Sequence, residues 1–442
     1  MENLPKYKYQ VGTKYITSQA LDSPQLKNEY GSLNSFLKIV LTEGFNLREV
    51  TSVLIEFEQT TMKINLPINH GYYVDQIVIM EGAEQSVFNK EYRVLDYGVD
   101  YITVLKPETM LTNVSTSTEL TIKVAPLGYT IPYENEEEGV ICFKNKSLKS
   151  PAILKVIDKL PPNGYESSWA KYGRVVIGQH LDEFGNFIRN TKAPFHPDFP
   201  EAEKTGNGVS GATGVHGFAK WEYSIYPNSY ETRENITANG IFPTDWKIIG
   251  DDKTFYLMIR SQGKNKFNYN LLGYGNYVSD NAQETSNVCL QAKDGFMSAD
   301  SNNNYSFSRT RNFFGALNTS YSGFILKDIY DNHATGYNRS SLISNLIIDS
   351  THRNRPWNST SVKSVNPVSG KRLTGYLYIK DYENYLRGFH RGIQIPYGTS
   401  RLPEGFVDDN GYLYLEVQEP LHTSTDTKAP IIFSLNNWEP VL

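Results

Sequence analysis

The stretch Trp246 to Ile259, WKIIGDDKTFYLMI, decides the fold. Trp246, Ile248 and Ile249 lead into Gly250-Asp251-Asp252-Lys253, and Thr254 to Ile259 then form a run of β-branched, aromatic and aliphatic residues with no proline. This pattern predicts a strand, a tight turn and a second strand. The second run is apolar at nearly every position, so both of its faces are expected to meet protein, as in a central core strand. A signal of this kind reports fold and carries no chemistry of its own.

On the N-terminal side, residues 1–30 are polar, hold Pro5 and several tyrosines, and show no period. They predict an arm, lying on a neighbouring molecule or leading directly into the first domain. From Ser32 to Glu43, Leu33, Phe36, Leu37, Val40 and Leu41 recur at three- and four-residue steps and Gly44 follows, which predicts a helix with a glycine C-cap. The period then changes to two. Six short runs, at Val53–Phe57, Met62–Leu66, Gln76–Met80, Tyr92–Leu95, Tyr101–Leu105 and Glu119–Val124, predict a small β-sandwich or barrel. Ala125-Pro126-Leu127-Gly128 closes it.

Residues 129–442 read as strand and long loop. The region opens with Tyr129–Tyr133 and an acidic run, and strands are predicted at Val140–Lys144, Ala152–Ile157, Lys171–Gln179 and Asn186–Arg189, the last two flanking the hairpin signal Asp182-Glu183-Phe184-Gly185. After the opening hairpin come Phe267–Val278, Val288–Ala292, Phe324–Ile329, Leu342–Ile348, Leu373–Lys380, Phe389–Ile395, Tyr412–Val417 and Ala429–Leu435. Polar stretches at 190–215, 294–312 and 354–369 are predicted surface loops. The expected organisation is mainly β: an arm over 1–30, a short helix plus β-sandwich domain over 31–128, and a larger β-rich domain over 129–442, divisible near 280–320.

Composition agrees. The chain has 442 residues, above the size at which one core usually stops growing, so two or three domains are expected. Forty-three basic and 48 acidic residues give a net charge of −5, which argues against nucleic acid as a partner. Aromatics reach 13%, with 31 Tyr and 21 Phe, a composition suited to half-buried sheets and wet interfaces. No apolar run resembles a signal peptide or approaches the roughly 20 residues that span a bilayer, so no membrane partner is expected. The two cysteines, Cys142 and Cys289, are expected to be buried free thiols.

Chemistry-bearing clusters are few. His196-Pro197-Asp198-Phe199-Pro200-Glu201, with His216 beyond, has metal-ligand residue types on a proline-punctuated loop that fixes no geometry, so a structured loop is expected. Asp251-Asp252 reads as turn chemistry, and the acidic run Glu134, Glu136, Glu137 and Glu138 as a solvated face. Nucleophile elbows, phosphate-binding Gly-rich loops and zinc-helix motifs are not found, so no catalytic residue, metal or cofactor is expected, although a glycosidase's pair of carboxylates leaves no sequence mark. Arg387-Gly388-Phe389-His390-Arg391-Gly392 combines cations and aromatics. It could grip phosphate or an acidic sugar, but Arg and aromatics are enriched at protein interfaces, so Arg387, Phe389, His390 and Arg391 are the candidate assembly-interface residues.

The order of the pieces carries a resemblance. The helix from Gly31-Ser32-Leu33 to Leu41 ending Glu43-Gly44-Phe45, His70-Gly71, Asp75-Gln76-Ile77, Asn89-Lys90-Glu91-Tyr92-Arg93-Val94 and Ala125-Pro126-Leu127-Gly128-Tyr129 resemble a family of tailed-bacteriophage virion proteins. In that family a short helix leads into a small β-sandwich closed by an "APLGW" segment. Gly173-Arg174-Val175-Val176, the Trp246–Leu257 hairpin, Leu272-Gly273-Tyr274-Gly275, Gly370-Lys371-Arg372-Leu373 and the Arg387–Gly392 segment follow in the same order. The chain departs at Lys90, where the family has Gly, at Glu134–Glu138, and in the Asn-rich stretch 294–312.

The resemblance implies a virion structural protein of the tail, baseplate or neck, or an adaptor near receptor-binding fibres. It would be made in the host cytoplasm, built into the virion and held by contacts with other virion proteins. Particle architecture adds the expectation of a homo-oligomeric ring. A host-surface protein that binds or cleaves carbohydrate, and a capsid decoration protein, are the alternative readings. No short internal repeat of a fibre shaft is present.

Overall fold

The computed structural model describes residues 6–55, 60–107, 119–148, 151–160, 171–187, 192–193, 219–223, 243–261, 268–279, 287–294, 297–299, 305–307, 323–326, 342–346, 374–381, 386–396, 405–418 and 428–438. The protein is mainly β, with several sheets and one short helix. The opening hairpin forms as read: Trp246–Gly250 pairs antiparallel with Thr254–Ser261, Trp246 opposite Ile259 and Gly250 opposite Phe255. Asp251 Oδ1 accepts the backbone N–H groups of Lys253 and Thr254, both at 2.9 Å, which fixes the turn.

Both faces of the second strand are buried, and they serve different cores. Phe255, Leu257 and Ile259 enter the largest hydrophobic cluster, which continues through the helix and the sandwich. Tyr256 and Met258, pointing the other way, join a second cluster with Leu377, Ile393, Leu415, Phe433 and Trp438. The alternation of side chains along a strand thus assigns one segment to two cores.

This hairpin sits in a 12-stranded sheet. Its order runs Lys14–Thr17, Trp246–Gly250, Thr254–Ser261, Asn268–Asn276, Val288–Gln291, Gly323–Leu326, Leu342–Leu346, Thr374–Asp381, Leu386–Pro396, Lys428–Ser434 and Tyr412–Gln418. Val278–Ser279, directly after Asn268–Asn276, pairs with Leu386–Pro396, Val278 opposite Phe389. The members of this sheet from Asn268 to Pro396 therefore form a closed ring of hydrogen-bonded neighbours, a barrel-like arrangement from which the outer strands of the sheet continue. The Lys14–Thr17 segment of the arm lies on its own chain as the outermost strand, Ile16 opposite Ile248.

The helix spans Ser32–Lys38 and continues as a π-turn over Ile39–Glu43. Leu33, Phe36, Leu37, Val40 and Leu41 are all fully buried, as their spacing predicts. Gly44 ends it at φ 77°, its N–H bonded to Ile39 O at 2.8 Å, and a Cβ there would come within 2.4 Å of Val124 O. The Ala125–Tyr129 segment satisfies the orphaned end carbonyls: Leu127 N–H donates to Val40 O, and the Gly128 and Tyr129 N–H groups to Leu41 O. At the other end, Asp158 Oδ2 accepts the N–H groups of Leu33 and Asn34 at 2.8 and 3.3 Å, while the Tyr223 hydroxyl donates to its Oδ1 at 2.5 Å. Burial raises the Asp158 carboxyl to about 6. Phe36 packs edge-on against Trp246 at 4.6 Å between ring centroids, joining helix to hairpin.

The sandwich has two four-stranded sheets. One orders Phe45–Glu49, Thr121–Val124, Ile77–Glu81 and Glu91–Arg93; the other orders Ser52–Leu54, Thr61–Asn65, Tyr101–Leu105 and Asp96–Tyr97. Met62, Ile64, Ile102 and Val104 face Val78, Met80, Ile122 and Val124, all buried. A seven-stranded sheet built on Thr130–Asn135, Val140–Lys144, Ile153–Ile157, Tyr172–Gly178 and Ala219–Glu222, and a two-stranded one pairing Met297–Ala299 with Tyr305–Phe307, complete the described fold. Where a strand Asn186–Arg189 was expected, the structure has a tight turn at Asp182–Asn186 closed by the single bridge Leu181–Phe187, with 188–189 outside the described residues. Cys142 and Cys289 are buried free thiols. Among the described residues, no helix is long and apolar enough to cross a membrane.

Candidate functional site

The segment Arg387–Gly392 lies within the strand Leu386–Pro396, hydrogen-bonded to Thr374–Asp381 on one side and to Lys428–Ser434 and Val278–Ser279 on the other. Its two glycines are steric necessities. Gly388 sits at φ 138° with a notional Cβ 1.8 Å from Val278 O, and at Gly392 (φ 67°) a Cβ would lie 2.0 Å from the Trp438 ring. The four candidate residues separate between two sides of the wall.

His390 and Arg391 face inward, buried within the chain itself. His390 is fully buried, its Nδ1 4.0 Å from Cys289 Sγ, its Nε2 3.3 Å from Gln291 Nε2, and its ring edge-on to Tyr256. Burial lowers its pKa to about 3, so the imidazole is neutral, and burial raises the Cys289 thiol to about 12. These are the reverse of a thiolate–imidazolium pair, and Cys289 supplies no nucleophile near neutral pH.

Arg391 clamps the opening hairpin. Its Nη1 and Nη2 donate to Asp251 Oδ1 and Oδ2 at 3.2 and 3.0 Å, a bidentate pair, while Nε donates to Trp438 O at 3.1 Å and Nη1 also to Thr254 Oγ1 at 3.1 Å. Asp251 therefore shapes a turn and receives an ion pair; only the first role is visible in the sequence. The bulged register between Tyr376 and Tyr378, with Gly392 at positive φ, turns Arg391 inward beside His390 instead of continuing the alternation.

Arg387 and Phe389 are half-buried on the outer side. There Phe389 lies opposite Tyr378 in register and stacks on Tyr376, with ring centroids 6.1 and 4.4 Å apart respectively. Tyr376 is 48% exposed and neighbouring Leu386 43%. Three rings on adjacent strands thus make an outward aromatic platform, flanked by Arg387. Tyr376 and Tyr378 were not singled out by sequence reasoning, yet the alternation Tyr376-Leu377-Tyr378-Ile379, with Leu377 and Ile379 buried, marks them as the outer face.

The remaining candidates disperse. Glu134 and Glu138 pair with Lys38 and Lys159 at 2.9 and 3.2 Å on one hairpin, a solvated face. His196 to Glu201 and His216 lie outside the described residues, as does most of the 190–215 loop. Among the described residues no three His, Cys, Asp or Glu side chains converge as a metal site requires. No protein-family model and no curated protein sequence matches the chain.

Proposed function

We propose that this protein is a structural component of a tailed-bacteriophage virion, in the tail, baseplate or neck or as an adaptor near fibres, acting through protein–protein contacts. The observation that carries the reading is the platform of Tyr376, Tyr378 and Phe389, partly exposed and mounted on a wall whose inner side is tied down by Arg391 and Asp251. Exposed aromatics beside an arginine on a rigid base are what a protein interface concentrates at its centre. The resemblance supports the reading in a second way: its quoted residues fall at the joints of the fold, Gly44 and Ala125–Tyr129 at the helix end, Asp251 in the hairpin turn, Gly388 and Gly392 in the closing strand.

Reconstruction of the intact particle by electron microscopy tests this. Density for a short helix followed by a β-sandwich, in a ring or attachment at the tail, neck or baseplate, with Tyr376 and Phe389 against a neighbour, is the expected result. A particle without the chain overturns the proposal. The same platform favours a second reading, a host-surface carbohydrate-binding protein, because sugar rings stack on exposed tyrosines; a distal position on the particle together with Tyr376-dependent glycan binding would favour it.

A further inference from the structure

A cavity of about 420 Å³ opens between the N-terminal arm and the sandwich, at the free edge of the Glu91–Arg93 strand. Its lining includes Lys8 from the arm, Lys90, Glu91, Tyr92 and Arg93 from the strand and the turn before it, and Lys106 from the end of Tyr101–Leu105. Four cations and one carboxylate thus line the cavity, with a second carboxylate, Asp75, beside Lys8, in a chain whose overall charge is −5. The concentration is local, and it is concave.

The lining carboxylate is already engaged. Glu91 Oε1 accepts from Lys14 Nζ at 2.6 Å, and the same ammonium also donates to Pro126 O at 2.6 Å. Arg93 is only 4% exposed, and its guanidinium is held entirely by backbone: Nε to Gln10 O, Nη1 to Asp75 O, Nη2 to Val11 O and Leu435 O, at 2.9 to 3.4 Å. Carbonyls orient the guanidinium, and the charge of Asp75 acts on it from nearby. These four bonds leave one of its five N–H groups over. Lys8 lies 3.7 Å from Asp75 Oδ1, an ion pair without a hydrogen bond, and Lys90 and Lys106 pair with no carboxylate among the described residues. A fixed, desolvated guanidinium beside ammonium groups on longer stems is an arrangement that recognises a phosphate oxyanion. The volume falls in the range of small-molecule sites and exceeds a lone phosphate, leaving room for an attached polyol or sugar.

We infer that this cavity binds a phosphate group, free or ester-linked to a small polyhydroxylated unit, with Lys90, Lys106 and Lys8 supplying charges around the fixed Arg93. The site is separate from the aromatic platform, and nothing in it depends on the assembly reading.

Isothermal titration of the full chain at low ionic strength, with inorganic pyrophosphate and with glycerol 3-phosphate as separate probes, tests the assignment. Lys90 is exposed and Lys106 half-buried, so the double substitution Lys90→Ala/Lys106→Ala leaves the fold intact, which a thermal melt verifies. Saturable binding that weakens at least tenfold in this variant, and is unchanged by Lys159→Ala, whose side chain pairs with Glu138 away from the cavity lining, is the expected result. Binding of pyrophosphate alone assigns a free anion, and binding of glycerol 3-phosphate assigns an ester. Absence of saturable binding for both probes, or equal weakening by Lys159→Ala, overturns the inference.

Discussion

Two buried charged groups hold this molecule together at two junctions, and they are handled in opposite ways. Arg391, in the closing strand, meets the carboxylate of Asp251 in a bidentate pair, so each charge is cancelled by the other. Asp158, where the seven-stranded sheet meets the helix, has no ion-pair partner among the described residues; its oxygens are filled by two backbone N–H groups and the Tyr223 hydroxyl. Burial pushes Asp158, which has hydrogen-bond donors but no ion pair among the described residues, toward its neutral form.

Substituting the paired cation has the largest expected effect. Arg391→Met leaves Asp251 half-sequestered without its guanidinium and Trp438 O without its donor, and is expected to lower stability by about 3–5 kcal/mol, read as a shift in the urea midpoint. A loss below about 1 kcal/mol would show that the clamp is incidental. Asp158→Ala strips three donors of their acceptor and is expected to destabilise by about 3 kcal/mol, each unmet buried group counting for about 1–3. Hydrogen exchange at Leu33 and Asn34 should accelerate in that variant ahead of the rest of the helix.

The Asp158 junction carries a pH response. The folded carboxyl of Asp158 titrates near 6, above its ordinary 3.8, so the folded state holds this proton more tightly than the unfolded chain. Its contribution is fully present below about pH 4 and is lost as pH rises through about 6. The stability of the native protein minus that of Asp158→Asn, which cannot ionise, should therefore fall across this window. A difference that stays flat, or rises, contradicts the assignment. The smallest effect belongs to the surface: Lys159→Ala, breaking a pair with Glu138 whose side chains are 46% and 65% exposed, should change stability by less than about 0.5 kcal/mol.

The comparison also shows what a sequence discloses. The two-sided burial of Thr254–Ile259 is legible because no polar residue interrupts the run, and the helix because its five apolar positions keep one face. Turn residues at Asp251-Asp252 announce themselves locally. The cap at Asp158 does not, since the carboxylate lies 125 residues from the N–H group it accepts and nothing around it marks a helix. Lys14–Thr17, KYIT, is too short and too mixed to read as a strand, and becomes one only because an apolar partner is waiting. At the candidate surface, residue types were legible and direction was not. Arg387 and Phe389 point out while His390 and Arg391 point in, because a bulge and Gly392 break the alternation that a flat strand would keep. The outward tyrosines were readable from their period of two.

The placement of Lys14–Thr17 has a consequence for biosynthesis. Ser18 lies 228 residues ahead of Trp246, its hydrogen-bonding partner beside this pairing. At about 5–20 residues per second, the ribosome delivers the arm on the order of ten seconds or more before the strand it must join exists. During that interval the helix and the sandwich, whose strands lie close together in the chain, can assemble, while the arm waits as an unpaired edge. The last stitch of the central sheet is therefore made with one of its earliest threads, and a nascent chain stalled before Trp246 would carry a finished sandwich and an open end.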